Sequence, residues 1–389
     1  MVVSYTVNLL RSSMKIALLG NLPKPLDNSL HRGIERFNSN LAQELAKLGH
    51  EVTVFTNTPH ENNCEVKPLL CSSEASKVFK LHENNSQEFA KIARRAYLAA
   101  LKEIESKKFE IIHNNSLDTL PLLASSTLSI PMLTGLHSEP TPKQKYLFEY
   151  QTYRPDSFYC ATSTHTKKAW KETFPDIDVA VVESGTLKLE ESVELNLSNK
   201  IQGGVWLGTI KDQCGLKETL EACQLAGVKI KIFGEIESES YFTNEVGPLL
   251  SRDACFHGRI DSKSIKRHLK NSRFAIVGPG LKREWLLDLL SNGLPILGMV
   301  NPHLQELINS SNGKLWSKLD PLEMSKTIAS TKELCRVKIQ QNAIKKWNTA
   351  VMARKYEKVY NFLKEIHDRK AKEKAYWYLY TSSKQRTLV

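Results

Sequence analysis

The stretch Asp288-Leu289-Leu290-Ser291-Asn292-Gly293-Leu294-Pro295-Ile296 decides how this chain reads. It sets the end of a helix, a tight turn and a buried strand (294–300) in immediate succession. Gly293 admits the positive φ that such a turn needs, and Pro295 fixes the backbone on entry to the strand. Asp288 stands five positions before the glycine and is expected at the head of the helix, a positive end where polar ligand groups gather.

Working outward from this stretch, the residues before it alternate between short apolar runs and helical patterns. Segments 204–207, 229–233, 254–257 and 273–277 read as buried strands, with a helix over 216–226. Upstream, 187–200 is acidic, polar and short of large apolar groups, which predicts a linker. The first half repeats the pattern. Residues 15–20 form a strand, 21–32 a polar loop, and Gly33 opens a helix whose Phe37, Leu41, Leu45 and Leu48 recur at helical spacing. Gly49 ends that helix before a strand at 52–56. A helix over 87–107 and strands at 110–113, 132–137, 158–162 and 179–183 continue the alternation. Such order predicts an α/β chain of two Rossmann-like, doubly wound domains facing across a cleft. The expected boundaries are 14–186 and 203–365, joined by a linker at 187–202 and followed by a basic tail at 366–389. The last helices, about 320–370, are expected to cross back and brace both halves.

Composition narrows the class. With 389 residues, 41% apolar and 25% charged, the chain is long enough for two cores and is not of disordered type. No run approaches the roughly 20 apolar residues of a spanning helix, and the first thirteen residues lack the pattern of a secretory signal. The seven cysteines show no C-x-x-C spacing, which predicts reduced thiols, a cytoplasmic setting and no metal site. The net charge of +12 is concentrated late: residues 331–389 hold 15 basic and 5 acidic side chains, whereas 1–200 hold 23 of each. The resulting basic helical face is a solvated surface or a weak peripheral contact with an anionic membrane; nucleic acid is the least favoured partner. Trp377, Tyr378 and Tyr380 would suit a lipid interface or pack on the body.

A resemblance extends over about residues 14–365. Asp288 to Ile296 is similar to the donor site E-A-x-x-x-G-x-P-V of GT-B glycosyltransferases. Arg32-Gly33-Ile34-Glu35 and Gly49-His50-Glu51-Val52 resemble G-G-x-E and G-H-x-V of the family-4 type, a short-form branch of group 1 glycosyl transferases. Phe109 to His113 and Leu133 to His137 resemble its strand ends. Leu207-Gly208-Thr209-Ile210, Gly234-Glu235-Ile236, Tyr241-Phe242, His257-Gly258-Arg259-Ile260 and Glu306 complete the order.

The resemblance implies transfer of a sugar from a nucleotide diphosphate donor to a hydroxyl acceptor (glycan, lipid or small molecule), with retention and without metal or other cofactor. No D-x-D stands at a strand end to hold a metal. His137 and Gly33 are the implied catalytic positions: His137 beside the sugar, and Gly33 giving close backbone approach to phosphate, or serving only as a helix-entry glycine. Asp288 would accept from ribose hydroxyls, and Gly258, Arg259 and Ile260 would cradle the base. Thr209, Gly293 and Glu284 complete the donor side. Glu35 and His113 belong to the acceptor loop; Glu35 equally suits an ordinary first-turn acid that complements the helix dipole, and a packing or loop role is the favoured reading of His113.

The departures bear on activity. Thr209 and Cys214 stand where the family carries the Arg and Lys that clamp the diphosphate, and Gly280 stands at its first motif glutamate. Lys211, Lys282 and Arg283 are the candidate replacements, or else solvated charges. A catalytically degenerate GT-B protein that binds nucleotide, glycan or a partner is the rival reading. No G-x-G-x-x-G follows the first strand, so a Rossmann dehydrogenase fits poorly.

Overall fold

The computed structural model describes residues 13–22, 33–57, 64–80, 86–125, 127–150, 158–186, 203–260 and 264–385. The linker 187–202, most of the loop 21–32 with Arg32, and the side chains of Trp377, Tyr378 and Tyr380 lie outside the described residues.

Two wholly parallel sheets carry the fold. The first runs in the order β3-β2-β1-β4-β5-β6-β7. Its strands are β1 (Lys15–Leu19), β2 (Glu51–Phe55), β3 (Glu65–Lys67), β4 (Ile111–Asn114), β5 (Met132–Leu136), β6 (Phe158–Ala161) and β7 (Val179–Val181). The second runs β10-β9-β8-β11-β12-β13. It comprises β8 (Gly203–Ile210), β9 (Lys229–Ile236), β10 (Ala254–Phe256), β11 (Ala275–Val277), β12 (Ile296–Met299) and β13 (Gly313–Trp316). Parallel neighbours need crossover helices, which cover both faces of each sheet, so the inner strands read as apolar runs rather than alternations. In β1, Leu18 lies opposite Val54 on one side and His113 on the other. Strand order reverses between β1 and β4 and again between β8 and β11, the two crevices where such sheets bind ligands.

The two short strands β3 and β13, absent from the expectations above, are both edge strands. The acidic residue opening β3 and the lysines in both break the apolar run that marks a buried strand.

The helix Gly33–Lys47 buries Phe37, Leu41 and Leu45 against Ile16, Leu18 and Val54 of the first sheet. Gly49 follows at φ +95°, a left-handed exit that glycine takes without strain. The same core takes in Met352, Tyr356, Tyr360 and Leu363 from the final helix, Thr349–Gln385. The chain end therefore returns to the first domain. It does so beside Thr186, whose N–H donates to the Trp347 carbonyl at 2.6 Å and whose carbonyl accepts from the Thr349 N–H at 3.2 Å. A side chain at Gly185 would start 2.7 Å from the Thr349 Cα, so the crossing requires glycine.

In the second domain Trp206, 1% exposed, lies under the sheet, and a Cβ at Gly278 would stand 2.4 Å from its ring. Among the described residues no helix is long and apolar enough to cross a membrane. All seven cysteines are unpaired.

Candidate functional site

At the β1/β4 crevice, the segments leaving three strands of the first domain converge. Asn21 and Leu22 follow β1, Ser116 to Asp118 follow β4, and His137 follows β5. They border a cavity of about 560 Å³ that also takes in Gly33, Tyr97, Lys282 and Glu284. That size suits a small organic ligand.

One polar chain sets the geometry of its floor. Asn38, buried on the first helix, accepts at Oδ1 from Asn115 Nδ2 at 2.8 Å. Asn115 Oδ1 thereby faces His137 Nε2 at 2.7 Å. Burial drops the His137 pKa to about 4, so the ring is neutral and donates Nε2–H to Asn115. Its Nδ1 is left as an acceptor for a hydroxyl. Phe37 meets the ring edge-on, with centroids 4.8 Å apart. A Cβ at Gly135 would stand 2.1 Å from Asn115 Oδ1, so only glycine lets β5 pass this pair.

The second domain meets this edge through the helix Arg283–Ser291. Arg36 and Asp288 form a two-pronged ion pair across the cleft at 2.5 and 2.6 Å, and Thr186 Oγ1 donates to the same carboxylate at 2.9 Å. Burial alone would lower the Arg36 pKa, but Asp288 and Glu284 together outweigh it and the net shift is upward. Arg283 bridges Glu183 of the first domain at 3.2 Å and Glu306 of the second at 3.4 Å. Trp347 Nε1 donates to Glu183 at 3.0 Å.

The expected site residues divide accordingly. His137, Gly33, Glu284 and Lys282 share the cavity. A Cβ on Gly33 would lie 3.2 Å from Glu284 Oε2, so a carboxylate of the second domain abuts the start of the first helix. Asp288 requires a correction: it is not at the head of its helix but in the later half, where its carbonyl accepts from Asn292. The helix begins only at Arg283, after Gly280 has turned the chain at φ +80°, and Glu284 is the acid of its first turn. Gly293 takes φ +70° in the expected turn.

His113 is fully buried rather than set in a loop. It bonds Tyr360 through Nδ1 at 2.7 Å and packs on Phe37 and Tyr356. Burial, with His137 as a second cause, lowers its pKa to about 3. Glu35 is buried in the first turn of its helix and accepts from Asn21 Nδ2 at 3.4 Å.

Thr209 borders a smaller recess with Glu235, Gly280 and Lys282. Gly258 (φ +71°), Arg259 and Ile260 line neither hollow; Arg259 pairs with Glu235, and Ile260 packs on the second core. Of the three candidate cations, Lys211 pairs with Glu237 on the surface at 3.7 Å and Arg283 is spent between the domains. Lys282 borders both hollows. Sequence reasoning missed Arg36, Thr186, Asn38 and Asn115, which carry no local pattern that marks them.

Residues 31–186 match the family model Glycosyltransferase Family 4. No curated protein matches the chain significantly. Among solved structures, sucrose-phosphate synthase from Thermosynechococcus elongatus superposes at TM-score 0.68 and 15% identity, covering 90% of this chain and 98% of that one. Anabaena HepE, solved with UDP and glucose, gives TM-score 0.61 at 15% identity, with 90% and 99% covered. The lipopolysaccharide outer core galactosyltransferase WaaB gives 0.60 at 14%, with 88% and 98% covered. The shared fold is GT-B, with two parallel sheets facing across the cleft, as expected from the order of segments.

Proposed function

We propose that this protein transfers a sugar from a nucleotide diphosphate donor to a hydroxyl acceptor, with retention at the anomeric carbon. The observation that carries the reading is the cavity at the β1/β4 crevice, bordered by His137 and Gly33 from one domain and Lys282 from the other. The family of the first domain and the UDP and glucose bound by HepE favour it.

In this reading the bond from the anomeric carbon to the diphosphate oxygen breaks, and a bond to the acceptor oxygen forms. The acceptor's proton leaves with or toward the departing phosphate. Lys282 supplies positive charge where the diphosphate develops negative charge. His137 Nδ1 accepts from a sugar hydroxyl, with the ring held by Asn115. Asp288 exchanges Arg36 for the ribose hydroxyls of the donor. Donor and acceptor are the only reactants; no cofactor enters.

Thermal shift with UDP, GDP and ADP tests donor binding, and donor hydrolysis followed by product analysis tests chemistry. The expected result is nucleotide-dependent stabilisation and sugar release. His137→Ala and Lys282→Ala are each expected to lower turnover on the order of 10²–10³-fold. The Arg36–Asp288 pair favours a second reading, binding without turnover, because the donor-site carboxylate is already occupied. Stabilisation by nucleotide with no sugar released from any donor would establish that second reading.

A further inference from the structure

At the edge of the interdomain contact, apart from the cavity, Glu139, His165 and His303 bring three ligand atoms within 4.8 Å of one another. His165 Nε2 lies 2.9 Å from Glu139 Oε1. The two imidazoles meet edge to face, with centroids 4.3 Å apart. Each residue comes from a different element. Glu139 follows β5, His165 is the second residue of the helix Thr164–Thr173, and His303 is the second residue of the helix Pro302–Leu307 in the other domain.

The backbone that carries the first-domain pair is fixed at several points. Trp170, on the same helix as His165 and 1% exposed, donates Nε1–H to the Ser138 carbonyl at 2.8 Å, which pins the segment bearing Glu139. That helix is capped by Ser163, and its first amides are further bound by Glu306, which accepts from Thr164 N at 3.0 Å and His165 N at 3.3 Å. The helix that carries His303 is capped by Asn301, whose Oδ1 accepts from Leu304 N at 3.0 Å. The neighbouring guanidinium of Arg283 is matched by Glu183 and Glu306, so it leaves little unbalanced positive charge at the cluster.

We propose that Glu139, His165 and His303 form a zinc-class metal site that bridges the two domains. Two imidazole nitrogens and one carboxylate oxygen are a donor set that suits Zn²⁺ at about 2.0–2.2 Å, with water as the fourth ligand. It does not suit Mg²⁺, which favours oxygen and retains its water. The metal replaces the proton shared between His165 and Glu139. Drawing the three atoms in to a tetrahedral shell asks only for rotation of the exposed Glu139 and His303 side chains. Because His303 belongs to the second domain, the ion ties that domain to the first at a point separate from the Arg36–Asp288 pair.

The test uses tag-free full-length protein with the exposed thiols removed (Cys71→Ser, Cys335→Ser), so that these do not bind zinc. Zn²⁺ alone is titrated in competition with a chromophoric chelator, and thermal stability is read with Zn²⁺, with Mg²⁺ and with EDTA. One tight equivalent of Zn²⁺ is expected, together with a rise in Tm that Mg²⁺ does not reproduce. His165→Ala and His303→Ala should each abolish both effects, and Glu139→Gln should weaken them. In EDTA, His303→Ala should melt with the parent, which separates a lost ligand from a damaged fold. Absence of a stoichiometric equivalent, or Zn²⁺ binding unchanged in both histidine variants, would overturn the site.

Discussion

The two domains share an architecture and differ in what their cleft-facing residues are doing. In the first, His137, Asn115 and Asn38 form a fixed chain that leaves an imidazole nitrogen available to a cavity. In the second, the corresponding motif residues are bound within the protein: Asp288 by Arg36 and Thr186, Arg259 by Glu235, Arg283 by Glu183 and Glu306. The family likeness in sequence follows the same division, covering 31–186 and not the second domain. A fold survives when its apolar pattern is kept, whereas ligand-binding side chains can be reassigned to internal contacts without disturbing that pattern.

The difference can be broken most forcefully at the second domain's core. Trp206→Ala empties the space under β8 and should cost about 3–5 kcal/mol, read as a lower midpoint in urea. Two-state melting of both domains together would show that the interdomain contacts couple them; a separate early transition would show that they fold independently.

Acid should reveal the first domain's buried imidazoles next. His113 and His137 have folded pKa values near 3 and 4, below the ordinary value of 6.5. The unfolded chain therefore takes up protons first as pH falls. Their stabilising contribution is complete above about pH 6.5 and is lost between there and pH 3–4, by up to about 1.4 kcal/mol per pH unit for each group. Melting temperature against pH checks this, and His137→Asn should flatten part of the slope.

A more moderate effect sharpens the comparison at the cleft itself. Arg36→Ala removes a charged hydrogen-bond partner from Asp288 and should cost about 1–3 kcal/mol. In the proposed function it should also strengthen nucleotide binding by freeing the carboxylate, whereas Asp288→Ala should lose both stability and binding. Isothermal titration with UDP separates the two. Tighter binding in Asp288→Ala would mean that this carboxylate opposes the ligand instead of holding it. Smallest of all, Lys211→Ala breaks a surface pair with Glu237 and should change stability by less than about 1 kcal/mol. Its turnover should match the parent's, since Lys211 lines neither hollow.

Local pattern alone determined a good deal. The helical spacing of Phe37, Leu41 and Leu45, the stop at Gly49 and the turn at Gly293 all depend on neighbours in sequence, and each is found where the residues place it. The alternation of apolar runs with helical patterns was enough for two parallel sheets. Short edge strands such as β3 escaped because they bury too little to show a pattern. What the site residues touch was decided only by tertiary structure. Arg36 and Asp288 lie 252 positions apart, and the three atoms of the histidine–glutamate cluster come from separate elements. Periodicity records which face of an element is buried. It carries no information about which distant charge that face will meet, since that depends on how two finished sheets are set against each other.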